Sequence, residues 1–137
     1  MQLPPLLRPW LWPDVSDHAG ARQASRLGYW SASTLTLVFC LTATLAMFVP
    51  AGQPGSEHIW DWLDAGVFMF LGWNIRYHSR NSAVLAAIFC VFEAYARFSL
   101  LALPGWIVLI VWAISGARGT QALKTLPAEP EVIPAGE

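Results

Sequence analysis

The sequence predicts an all-α protein of the integral membrane class, a four-helix bundle, and three observations lead to that prediction. Hydrophobic residues make up 55% of the 137 residues and charged residues only 12%, about half the charged share of a soluble domain. Four apolar runs are separated by short polar or proline-containing loops. Eight tryptophans lie mostly near the ends of these runs, where an indole ring is stable at a membrane interface.

Residues 1–26 are predicted to form an interfacial segment followed by an amphipathic lead-in. Prolines among the first fifteen residues prevent a regular helix, and the tryptophans between them suit a membrane surface. Ser16 or Asp17 can cap the helix that follows, because a side-chain oxygen accepts hydrogen bonds from free backbone N–H groups. Arg22 and Arg26 then lie one turn apart, and we expect them to face lipid phosphates.

A transmembrane domain is predicted over residues 27–118, with spans at about 28–49, 59–76, 82–101 and 103–117. The first apolar run is long enough to cross a bilayer, so we interpret it as a retained helix and not as a removable signal peptide. After residue 118 the chain becomes polar and rich in proline and glutamate. We therefore predict that 119–137 form a flexible cytoplasmic tail.

The basic residues predict the orientation of the four spans. They occur before the first span, between the second and third, and after the fourth, and they include Arg22, Arg26, Arg76, Arg80 and Lys124. The two remaining loops contain no lysine or arginine. The positive-inside rule then places both termini in the cytoplasm. In this interpretation the four arginines determine topology or bind lipid headgroups.

Small residues at helical spacing predict where the first and third spans pack against neighbouring helices. Three lie on each span: Ser33, Thr36, Cys40, Ala83, Ala87 and Cys90. Small side chains let helix backbones approach closely in lipid, where packing drives association. Neither cysteine lies in a CxxC motif or an exposed site, so both are interpreted as packing residues.

The third span carries an acid and a base one helical turn apart, Glu93 and Arg97, which therefore share a face and can pair. Neither would be stable unpaired in hydrocarbon. A rise of about 1.5 Å per residue brings Asp64, on the second span, to a depth similar to that of Arg97. We expect Asp64 and Glu93 to flank Arg97, with Asp61 nearer the surface.

Three interpretations of this charge cluster remain open. A buried network of acids and a base commonly holds two spans in register, and this is the favoured interpretation. Because acids outnumber the base, a surplus carboxylate could instead exchange a proton or bind a cation. A ligand or lipid site is the third interpretation.

Motifs that would indicate catalysis or cofactor binding do not occur in the sequence. There is no glycine-rich phosphate loop, nucleophile elbow or HExxH pattern. The spacing of Glu57, His58 and Asp61 does not match a metal-ligand pattern, so no metal and no cofactor is predicted. The basic residues are too few and too scattered for nucleic-acid binding.

Two patches of the sequence carry a resemblance to a group of proteins. The first runs from Asp17 to Arg22 and continues at 28–32, and the second covers 62–84. The second contains an Asp-Ala pair opening the second span and an Arg-x-x-Ser-Arg loop ahead of the third. Together they resemble small four-span bacterial inner-membrane proteins without a characterised function. The resemblance implies a multi-pass protein of the bacterial inner membrane, but no activity and no functional residue.

The sequence thus predicts a non-enzymatic accessory or scaffold subunit, or a small homo-oligomer, held by an intramembrane Asp–Arg–Glu network. Its expected partners are the lipid bilayer and either another membrane protein or a second copy of the chain. The alternative is a small transporter or channel that moves protons, cations or a small solute by means of Asp64, Glu93 and Arg97.

Overall fold

The protein is all-α in the residues that a computed structural model describes, which are 8–49, 58–97 and 102–127. The helices are α1 Arg8–Leu11, α2 His18–Ala46, α3 His58–Arg76, α4 Arg80–Ala96 and α5 Leu103–Thr125. The helical class is therefore as predicted. Two helices, α2 and α5, are long and apolar enough to cross a membrane by length and composition. With 17 residues, α4 lies at the lower end of the roughly 17–25 residues that a span needs.

The predicted lead-in and first span form one continuous helix. α2 contains 29 residues, and Asp17 caps its N-terminus by accepting a hydrogen bond from the Gly20 N–H at 2.7 Å. The amphipathic lead-in is the first part of the helix that contains the apolar run, because no helix breaker separates the two. α2 ends at Ala46, three residues before the predicted end of the span at 49.

The flexible tail predicted from residue 119 is wrong for its first part. α5 continues to Thr125, so the segment that follows Arg118 is helical. Gly116 and Gly119 lie inside this helix and do not end it, because α2 packs against them. The remainder of the predicted tail, 128–137, lies outside the described residues. So do 1–7 of the interfacial segment, the loop 50–57 and the predicted end of the third span, 98–101.

The four long helices form a ring in which each packs against the next and α5 packs against α2. α2 and α3 run antiparallel, since Phe39 of α2 stacks near Phe68 while Ser25 of α2 reaches His78 just beyond α3. α5 is likewise antiparallel to α2, since Ser31 donates to the Leu109 carbonyl at 2.9 Å while Ala21, earlier in α2, lies against Gly119, later in α5. The chain therefore alternates in direction around the ring.

This alternation gives the bundle two chemically different ends. At one end, which we call the basic end, lie the exposed side chains of Arg22, Arg26, Arg76, Arg80 and Lys124. At the other, which we call the carboxylate end, lie Asp61, Asp64, Glu93 and Arg97.

The interior of the ring is small, and the outward faces are apolar. Leu35, Phe39, Phe68 and Ile75 are buried at its centre. Many large apolar side chains are more than half exposed, among them Leu37, Leu41, Met69, Phe70, Ile88 and Phe92. Soluble proteins rarely leave such a belt of apolar surface uncovered.

A three-residue connection joins α3 to α4 at the basic end. The His78 N–H donates to the Ile75 carbonyl and the Ser79 N–H to the Asn74 carbonyl, a bonding pair that ends a helix with one left-handed residue. His78 occupies that position, with φ 59. Ser79 then caps α4.

Candidate functional site

Arg97 is bound by three carboxylates that come from two helices. Its Nη1 lies 2.6 Å from Asp61 Oδ1, its Nη2 lies 2.8 Å from Asp64 Oδ2, and its Nε lies 2.8 Å from Glu93 Oε2. Each of the three guanidinium nitrogens therefore binds a different carboxylate. We call these four residues the Arg97 cluster.

Helix geometry explains how the chain assembles this cluster. Asp61 and Asp64 are three residues apart near the start of α3, and Glu93 and Arg97 are four apart at the end of α4, so each pair shares a helix face. Because α3 and α4 are joined at the basic end, their other ends meet at the carboxylate end. Arg97 is the C-cap residue of α4, and its backbone N–H donates to the Glu93 carbonyl at 2.9 Å.

Exposure differs between members of the cluster. The Glu93 side chain is 9% exposed, Asp61 15%, Asp64 29% and Arg97 37%. Asp61 is less exposed than Asp64, although it lies one turn nearer the start of α3. Phe39 of α2 contacts the other side of the cluster, with the Arg97 Cζ 4.7 Å from its ring centroid, a cation–π geometry.

The cluster carries more acid than base. Three carboxylate charges against one guanidinium charge leave a net charge of −2 when all four groups are ionised. Within the described residues, no group of three or more His, Cys, Asp or Glu side chains is placed to hold a metal ion. Glu57, which the sequence puts near Asp61, lies outside those residues. The cation that the three carboxylates bind is the guanidinium of Arg97.

The predicted headgroup residues lie far from this cluster. Arg22, Arg26, Arg76 and Arg80 are all exposed at the basic end, on α2, at the end of α3 and at the start of α4. The arginine side chains of the basic end and the Arg97 cluster are therefore separated by the length of the bundle.

The structure separates the predicted packing residues into two groups. On α4, Ala83 and Cys90 are buried and Ala87 is half-buried. On α2, Cys40 is half-buried and packs against the core as Ala87 does, whereas Ser33 and Thr36 are half-buried outside it. The buried positions there are Ser31, Ala32, Leu35, Phe39 and Ala43.

The physical reason is that bulky side chains fill the centre of this ring. Leu35 and Phe39 occupy the space between α2 and α3, which small residues would leave empty. The Thr36 hydroxyl donates to the Ala32 carbonyl of its own helix at 2.9 Å, so it joins no neighbour. Both cysteines are free thiols.

Sequence reasoning missed the closest helix contact of the described residues, where α2 crosses α5. A Cβ built on Gly28 would lie 2.6 Å from the Gly116 Cα, and one built on Gly119 would lie 2.6 Å from the Ala21 carbonyl oxygen. Neither helix leaves room for a side chain at these positions. The sequence feature that indicates this contact is a Ser-Gly-x-x-Gly-Thr run at 115–120. It places small residues four apart, Ser115 with Gly119 and Gly116 with Thr120.

The N-terminal segment also packs where the sequence did not predict. The Trp112 Nε1 donates to the Trp10 carbonyl at 3.1 Å, and the Ser115 hydroxyl donates to the Leu11 carbonyl at 3.0 Å. The Arg118 Cζ lies 4.1 Å from the Trp12 ring centroid. The segment therefore follows one face of α5.

Comparison with known proteins adds no assignment to this geometry. No protein-family model, no curated protein and no solved structure matches the chain.

Proposed function

We propose that this chain is a small membrane component, an accessory or scaffold subunit that works without catalysis and assembles with another membrane protein or with a second copy of itself. The observation that carries the proposal is the belt of exposed apolar side chains between the two polar ends of the bundle. Lipid and a neighbouring helix bundle are the surroundings that such a belt fits.

The helix lengths support a bundle that crosses the bilayer four times. At about 1.5 Å per residue, the 19 residues of α3 and the 17 of α4 extend about 29 and 26 Å, close to the thickness of a hydrocarbon core. In α2 and in α5, only 28% of the most apolar 18-residue window is buried by the protein, which leaves the rest for lipid contact.

The distribution of charge supports the proposed orientation. Five exposed basic side chains lie at the basic end, and Arg97, at the other end, is neutralised by carboxylates. The positive-inside rule then places the basic end, with both termini, in the cytoplasm. The inner membrane of a bacterium is the location that fits this arrangement and the resemblance noted above.

In this proposal the Arg97 cluster fastens α3 to α4. Of the four neighbouring helix pairs, α3 and α4 share the least extensive packing. Asp61 and Asp64 reach across this weak contact to Arg97, while Glu93 orients the guanidinium from its own helix. A closed network of this kind supports a structural role, because the guanidinium nitrogens are all engaged by the protein.

A specific observation favours the second candidate, a small transporter or channel for protons, cations or a small solute. The cluster has a surplus of carboxylate, and Asp64 is 29% exposed, so a proton or cation could reach it from the carboxylate end. Asp64, Glu93 and Arg97 would be the residues that act in it.

Membrane extraction and proteoliposome flux test both candidates. We expect the chain to stay with membranes after carbonate washing and to form a complex when crosslinked there. We expect proton and potassium flux through wild type, Asp64→Asn and Glu93→Gln to equal that of protein-free vesicles, while Glu93→Gln lowers the unfolding midpoint in detergent. Flux that is present in wild type and lost in well-folded variants would establish transport. Release by carbonate would refute membrane integration, and an uncrosslinked monomer would refute the scaffold role.

A further inference from the structure

An apolar groove lies between α4 and α5, away from the Arg97 cluster. Its volume is about 350 Å³, and its lining is entirely aliphatic: Val84, Ala87, Ile88, Val91, Ile114 and Ala117. Sites for small ligands usually measure roughly 300–1,000 Å³. A lining without hydrogen-bonding side chains selects a hydrocarbon group.

The groove continues into basic side chains at one end. Its α4 residues follow the helical period, and Arg80 lies one turn before Val84 on the same stripe. On α5, Ala117 is followed by Gln121 and Lys124, one and two turns further along. Since α4 and α5 are antiparallel, both extensions reach the basic end.

The cations at this end of the groove have no anion within the described residues. Arg80 and Lys124 are exposed and make no ion pair there. The carboxylates of Asp14 and Asp17, which also lie near this end, accept hydrogen bonds from the backbone N–H groups of Ser16 and Gly20. The charged side chains on the two stripes that extend the groove, Arg80 and Lys124, are both cations.

We propose that this groove binds one acyl chain of an anionic glycerophospholipid, whose phosphate lies between Arg80 and Lys124. The inference rests on the proposed function, because such a lipid is met only in a bilayer. An apolar chain joined to a phosphate matches both halves of the surface, since charged oxygens bind Arg and Lys side chains strongly. An apolar helix of a second copy would fit the groove but would leave both cations without a partner.

Native mass spectrometry in mild detergent tests the proposed contact of the lipid headgroup with Arg80 and Lys124. Phosphatidylglycerol and phosphatidylcholine with identical acyl chains are titrated onto the full chain. We expect one phosphatidylglycerol to bind more tightly than phosphatidylcholine, by roughly fivefold for each of the two basic residues. The Arg80→Gln/Lys124→Gln variant should lose this preference. The comparison variant, Arg26→Gln/Arg76→Gln, removes two predicted headgroup residues at the same end but off the groove, and should keep the preference for the single lipid bound in the groove.

A second pair of variants tests whether the acyl chain binds in the groove. Val84→Trp fills the groove, whereas Leu85→Trp places the same ring on the neighbouring position of α4, which does not line it. The two positions are similarly exposed, at 40% and 45%. We expect Val84→Trp to weaken binding of both lipids and Leu85→Trp to leave it unchanged.

Several results would overturn the lipid site. These are equal binding of the two lipids to wild type, equal loss in the two charge variants, or equal behaviour of the two tryptophan variants. Displacement of the bound lipid by glycerol phosphate, which has no acyl chain, would also exclude the groove. If the chain resists carbonate extraction but shows any of these results, only the lipid site is refuted. Release by carbonate would refute the proposed function as well.

Discussion

The two ends of the bundle are held together in different ways. Near the basic end, α2 and α5 meet through backbone atoms at Gly28 and Gly116, with no room for a side chain between them. At the carboxylate end, α3 and α4 meet through long charged side chains that converge on Arg97. The first contact depends on shape and the second on charge.

This difference indicates where the molecule tolerates change. Close backbone packing does not tolerate an added methyl group, because no free volume remains between the two helices. An ionic cluster that is partly exposed can rearrange, and solvent screens part of any lost interaction. We therefore expect substitutions in the glycine crossing to be more damaging than substitutions in the Arg97 cluster.

The largest effect is expected from Gly116→Ala. The new Cβ would overlap the Gly28 Cα, so the helices must separate, and we expect a loss of about 3 kcal/mol or more in unfolding free energy. The measurement is unfolding in detergent followed by circular dichroism. The matched control is Gly66→Ala in α3, where a Cβ meets nothing within 4 Å. It should stabilise the helix by up to about 1 kcal/mol. Equal effects of the two variants would contradict the close crossing.

Next comes Arg97→Gln, which leaves Asp61, Asp64 and Glu93 facing one another without a cation. Removing one partner of a buried pair is strongly destabilising, but Arg97 is 37% exposed, so we expect a loss of about 2 kcal/mol. The same detergent unfolding assay measures it. A loss as large as that of Gly116→Ala would remove the distinction between the two ends.

A smaller contrast is expected within the cluster. Glu93→Gln weakens the most buried of the three carboxylate contacts, with an expected loss of about 1 kcal/mol. Asp64→Asn also weakens a contact but relieves the surplus negative charge at a more exposed site, so we expect a change below about 0.5 kcal/mol. The paired unfolding midpoints test this order. The reverse order would show that exposure does not govern the energetics of the cluster.

A small effect of the opposite sign is expected at the basic end, from His78→Gly. A non-glycine residue at φ 59 is strained, and glycine relieves the strain, which should stabilise the protein by about 0.5 kcal/mol. The substitution also removes a 3.4 Å contact between the Ser25 hydroxyl and His78 Nδ1. Ser25→Ala removes that contact alone and serves as the control. A loss of stability in His78→Gly that Ser25→Ala reproduces would assign the residue to packing.

The helical class and the pairing of Glu93 with Arg97 can both be predicted from the sequence alone. Both follow from local rules, because apolar runs of span length favour helices and residues four apart share a face. The same rules brought Asp64 to the level of Arg97, since a short connection between α3 and α4 makes them antiparallel. They also limited the N-cap to Ser16 or Asp17, and the structure has Asp17 in that role.

The buried face of each helix, in contrast, depends on how the helices pack against one another. Leu35 and Phe39, and not the small residues Ser33 and Thr36, occupy the buried face of α2. The width of the ring determines the size of the side chains that fill it. Gly116 and Gly119 weaken a helix when its sequence is considered alone, whereas in the bundle they allow the close approach of α2. Helix formation depends on near neighbours in the sequence, whereas burial depends on partners about 90 residues away, which no local pattern specifies.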